Sequence, residues 1–105
     1  MIYDLEHIDL MGRRRDGGIE LYIIPPDKMD DSAETQESLL DKVERYLGYI
    51  RSQEFFEEFG SMMAGQVWIV LKLPEEPSYI LKELCQRIIP WVEDNGAKFR
   101  VVVAH

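Results

Sequence analysis

The run VWIVLKL, residues 67–73, is β-branched, aromatic and apolar on both alternating faces, with Lys72 as its one interruption. It is the clearest strand of the chain, because a half-solvated strand alternates apolar with polar. Pro74 and Pro77 close it and bracket a turn. The rest of the chain must supply further strands and the helices that bury them, in a strand order that the pattern leaves open.

Two further strands come from the N-terminal region. HIDLMGRR alternates well enough for a strand, with Ile8 and Leu10 expected on one face. Asp16-Gly17 is a strong hairpin signal, since glycine tolerates the positive φ of a tight turn. GIELYIIPP is the returning strand, stopped by Pro25 and Pro26. The fourth strand is KFRVVVA near the C-terminus.

Between these lie helical patterns. Leu39, Val43, Tyr46, Leu47 and Ile50 recur at helical spacing, with Ser32 or Thr35 as N-cap. A single helix from Ser32 to Phe59 would be about 40 Å long, whereas seven-residue strands span about 23 Å. A break is expected near Arg51–Gln53, with Ser52 capping a second, short helix. Ser78 caps another helix carrying Leu81, Leu84, Ile88 and Val92. Pro90 sits inside it and should kink its last turns, and Asn95-Gly96 stops it.

These elements make one domain, residues 1–105. The expected fold is an α/β (α+β) two-layer sandwich in the order β-β-α-β-α-β: a four-stranded mixed sheet with two main helices on one face and a short helix near 53–60. The expected core is Leu39, Val43, Leu47, Ile69, Leu71, Leu81, Leu84, Ile88, Val101 and Val103.

The chain resembles a family of small bacterial proteins of unknown function. The resemblance is carried by HIDLMG, IELYII, LLDKVERYLGYI and VWIVLKLPEEP followed by AKFRVVV, and most specifically by YLGYI at the end of the first helix. After that helix the family continues with an acid, serine and glycine and then a tyrosine–proline pair, where this chain has RSQ and FFEEFG. The resemblance implies the β-β-α-β-α-β order and carries no catalytic residues.

Charge narrows the partners. Twenty acids against twelve bases give a net charge of -8. That repels phosphate backbones and anionic lipid and favours a basic protein partner. No nucleic-acid or membrane partner is expected: no apolar run approaches a bilayer's thickness. One cysteine, Cys85, and an N-terminus without the pattern of a signal peptide point to the cytoplasm.

No catalytic, cofactor or metal set emerges. His7, with Glu6 and Asp9 nearby, reads as a strand-edge histidine, and His105 ends the chain. Cys85 lacks a partner or motif and reads as packing. Asp27, Asp30, Asp31 and Glu34 lack the EF-hand glycine and spacing and read as a solvated lead-in to a helix. Arg13 to Arg15 form a basic turn without interleaved aromatics.

Two features suggest contact surfaces. EFFEEFGSMM, residues 54–63, is a short amphipathic helix and loop. It should cap the protein's own interior, burying Phe56 and Phe59, with Phe55 and Met62 at a candidate contact edge. The second is the sheet's other face, where alternation sends Tyr22, Ile24, Trp68, Val70 and Val102 outward. Apolar side chains on a face without helices mark an interface. A two-fold homodimer over Trp68 and Val102 is expected, unless the 54–63 segment folds across them. The expected function is a non-enzymatic protein-binding or regulatory module. The alternative is a small enzyme or ligand-binding protein with a pocket between the helices and that segment.

Overall fold

The computed structural model describes residues 8–25 and 28–104. His7, His105, Pro26 and Asp27 lie outside the described residues. The elements run β1 (Leu10–Arg13), β2 (Ile19–Ile23), α1 (Ala33–Ile50), α2 (Gln53–Phe59), a 3-10 turn (Ala64–Gln66), β3 (Val67–Leu73), α3 (Tyr79–Asp94) and β4 (Lys98–Val103).

The sheet order is β1-β2-β3-β4. β1 and β2 are antiparallel, and β2–β3 and β3–β4 are parallel. The expected α+β class, mixed sheet and short extra helix are all present. Both parallel connections step the same way across the sheet, and right-handed crossovers then place their helices on one face. The strand order, which the sequence left open, puts the VWIVLKL run, β3, between β2 and β4.

The local signals explain the boundaries. Ser32, Ser52 and Ser78 each accept a backbone N–H at the start of a helix, from Thr35, Phe55 and Leu81. Ser32 is thus the first N-cap, and Thr35 instead donates its hydroxyl to Asp30 Oδ1 at 2.6 Å. α3 runs through Pro90 to Asp94, and Asn95 accepts the stop. In the hairpin, Gly17 takes φ +89°, and the next glycine is dictated by proximity: a Cβ on Gly18 would meet the Gln66 carbonyl at 2.4 Å.

The core joins Ile19, Leu21, Ile23, Ile69 and Leu71 to the inward sides of α1 and α3. Val101 and Val103 are only half-buried, because β4 is an edge strand, and Phe99 fills the core position instead. Ile8 and Leu10 do not share a face. A bend at Asp9 turns Ile8 against the core and leaves Leu10 exposed on the other side.

Phe55, not Phe56 or Phe59, is the buried aromatic of α2. Phe55 is 3% exposed, Phe56 is 52% exposed and Phe59 is half-buried. The Ser52 cap fixes the helix phase so that Phe55 meets the Tyr49 ring edge-on at 5.4 Å and lies 4.9 Å from Phe59. The segment packs at the end of the core near Val67 and Gly96 rather than across the sheet's other face.

A polar network ties the hairpin to α1. Lys42 is fully buried, and its Nζ lies 3.0 Å from Asp9 Oδ1. Asp9 Oδ2 accepts the Ile24 N–H at 2.8 Å, and the Asp9 N–H donates to the Tyr46 hydroxyl. Tyr46 in turn donates to the Tyr22 carbonyl at 2.6 Å. Burial pushes the Asp9 pKa up, but the Ile24 hydrogen bond and the Lys42 ammonium outweigh it and hold it below the usual carboxylate value.

Two predictions follow from this packing. Phe55→Ala is expected to cost about 3–5 kcal/mol and Phe56→Ala under about 1 kcal/mol in denaturant unfolding. Lys42→Met should cost about 3–5 kcal/mol at neutral pH by removing the ammonium that lies 3.0 Å from the enclosed Asp9 carboxylate. A lowered carboxyl pKa adds stability above the unfolded value, and that stability is lost as pH falls through the folded value. The gap between wild type and Lys42→Met should therefore shrink below the ordinary value of 3.8. A gap that stays constant on acidification would contradict the ion pair.

Candidate functional site

The strand register decides what the face without helices carries. Leu10, Tyr22, Val70 and Arg100 lie in one row across the four strands, and Gly12, Glu20, Trp68 and Lys98 in the next. Lys72 and Val102 form a third pair. The outward positions of the strands are therefore not an unbroken apolar patch. Glu20, Lys72, Lys98 and Arg100 have the same parity as Trp68 and Val102 and interleave with them.

At the centre is Trp68. The guanidinium of Arg14, reaching over from the hairpin, lies 5.4 Å from its ring centroid, and that of Arg100 on β4 lies 5.6 Å away. Both arginines donate to Glu20 Oε2, at 3.3 and 2.9 Å. Tyr22 donates its hydroxyl to Glu20 Oε1 at 2.9 Å, a bond that pushes the phenol's pKa up. One carboxylate thus holds two guanidiniums and a phenol around one indole. Glu20 is largely enclosed while Arg100 remains half open to solvent. The Trp68 Nε1–H is enclosed and finds no acceptor among the described residues.

The other expected contact residues are scattered. Val70 is fully buried beneath this cluster, Tyr22 and Val102 are half-buried on it, and Ile24 lies at its end. Phe55 is inside the core, and Met62 is half-buried against it. Parity would have found Glu20 and Arg100 beside Trp68. Arg14 had no such signal, because its reach depends on the hairpin's twist.

The 54–63 segment also forms a groove of about 240 Å³. Phe55, Met62 and Val67 line it, and among the described residues Arg51 is its one ionisable side chain. That arrangement offers no acid–base pair. Among the described residues no three His, Cys, Asp or Glu side chains gather as a metal site. Asp30 is occupied by Ser32 and Thr35, as a helix lead-in would be. No described helix is long and apolar enough to cross a membrane. Cys85 is buried, and desolvation pushes its thiol up to about 11.

The chain belongs to a family of unknown function (DUF6572), whose model matches residues 1–105. No curated protein and no solved structure matches it.

The Cys85 environment is directly testable. A rise from 9.0 to about 11 lowers the thiolate fraction near neutral pH by about a hundredfold. Disulfide-exchange labelling of the native protein at pH 8 is expected to be at least that much slower than in denaturant. Equal rates would show an exposed, reactive thiol.

Proposed function

We propose that the chain is a non-enzymatic protein-binding module whose contact surface is the outer sheet face around Trp68, and that its partner presents an acidic segment. The carrying observation is the Arg14–Trp68–Arg100 cluster held by Glu20. Trp, Arg and Tyr are the residue types that dominate binding energy at protein interfaces. Fixing arginine rotamers before contact lowers the ordering cost of association.

The partner's charge is argued from the face itself. Its outward strand positions carry Lys72, Lys98 and Arg100 against Glu20 alone, and the hairpin adds Arg14 and Arg15 against Asp16, which pairs with Arg14 at 3.3 Å. The chain's negative charge is concentrated on the helical layer, at Glu34, Glu37, Asp41, Glu44, Glu54, Glu57 and Glu58. Whole-chain charge favours a basic partner, but that attraction addresses the helices. The lone, buried thiol suits a reducing compartment such as the cytoplasm.

The test is a titration with polyglutamate and polylysine peptides. It is followed by Trp68 fluorescence in a Trp91→Phe background. Polyglutamate is expected to bind, to weaken as salt rises, and to lose at least about tenfold in affinity in Arg100→Glu. Preference for polylysine, or a response unchanged by Arg100→Glu, would overturn the proposal. A response that follows Phe56→Ala instead would favour the groove beside α2 and the ligand-binding reading.

A further inference from the structure

The sheet has a second open feature, its β4 edge. β4 pairs with β3 alone among the described strands. The Ala104 N–H donates to the Leu73 carbonyl at 2.7 Å. Backbone direction alternates along a strand, so the even residues of β4 face β3 and Phe99, Val101 and Val103 turn their N–H and C=O groups outward. Sheet proteins protect such edges with prolines, bulges or inward-pointing charges. The outward-bonding positions of β4 carry none of these. The opposite edge, β1, is four residues long and is interrupted by Gly12.

We infer that two copies of the chain join through β4 in an antiparallel, two-fold arrangement centred on Val101. The inference is independent of the outer-face reading. With that register every outward backbone group from 99 to 103 finds its mate: Val101 bonds its own copy, and Phe99 bonds Val103. Only registers that oppose odd residues to odd residues are allowed by the hydrogen-bond pattern. Of these, centring on Arg100's odd neighbour Val101 keeps like charges apart. Arg100 then faces Val102 and Lys98 faces Ala104, whereas a register centred on Arg100 would set two arginines directly opposite.

The helical side agrees with this pairing. Beside the β4 edge is a groove of about 260 Å³ whose lining includes Glu76, Pro77, Lys82, Cys85, Val101 and Val103. Val101 is half-buried on its wall, and the two-fold sets it directly beside its own copy. Lys82 pairs with Glu76 at 3.3 Å at the Val103 end of the edge, and Lys98 pairs with Glu93 at 3.2 Å at the other end. The two-fold brings the first end of one copy to the second end of the other, so two charge-balanced ends meet. Both outer faces then lie on the same side of one continuous sheet, and neither is covered.

The experiment is sedimentation equilibrium of the full chain at micromolar concentration. The expected mass is twice the 12.3 kDa of one chain. Val101→Pro removes an N–H that β3 does not use, so it should keep native circular dichroism and weaken self-association by at least about tenfold. Val103→Lys, which sets a charge against the partner's Phe99, is the second variant and should do the same. Two results would overturn the inference. One is a single-chain mass for the wild type at every concentration. The other is a dimer that survives both β4 variants and is lost in Trp68→Ala.

Discussion

The handedness of the two parallel crossovers governs the rest of this structure. A strand that returns parallel through a helix does so right-handed, and both connections here step in the same direction across the sheet. All the helices therefore fall on one side. That side closes into a dry core, where Ile19, Leu21, Ile23, Ile69 and Leu71 are buried by α1 and α3. The other side of an apolar strand is left without a layer, although Trp68 and Val70 lie on it.

The chain covers that side with its own long side chains. Arginine is suited to this because its guanidinium is weakly hydrated and stacks on an aromatic face while its stem lies over apolar surface. Val70 is completely buried without belonging to the helical core, which measures how well the cover works. Glu20 keeps both guanidiniums in place. The contrast with the Lys42–Asp9–Tyr46 network is informative. That network is enclosed on the helical side and joins β2 to α1. The Glu20 cluster orders its groups at the surface, where another molecule can meet them. One polar set serves the fold, and the other is available for recognition.

Much of this was legible in the sequence, and the failures have physical causes. The Ser52 and Ser78 caps, the Asp16-Gly17 turn and the break at Ser52 are local signals that appear where they were read, while the choice of Ser32 over Thr35 was left open. Alternation along VWIVLKL and KFRVVV placed Trp68 and Val102 outward. Counting only the large apolar members of that set hid Glu20, Lys72, Lys98 and Arg100, which the same parity places there. Phe55 and Phe56 are adjacent, so choosing between them required the helix phase that the Ser52 cap sets. Lys42 lies in a charged stretch, DKVERY, that resembles a solvated face. Only the bend at Asp9, from a distant segment, shows why it is buried. The family relationship gives no activity that would have pointed to any of these residues.

Amide and indole chemical-shift mapping tests the central claim most directly. The isotope-labelled chain would be titrated with an acidic peptide, and then with a basic one. If the Arg-flanked tryptophan is the contact, the acidic peptide shifts the Trp68 Nε1–H and the amides of Arg14, Glu20, Tyr22 and Arg100, and leaves α1 unmoved. Shifts confined to the acidic side of α1 and α2, produced by the basic peptide while the Trp68 indole stays fixed, would contradict it.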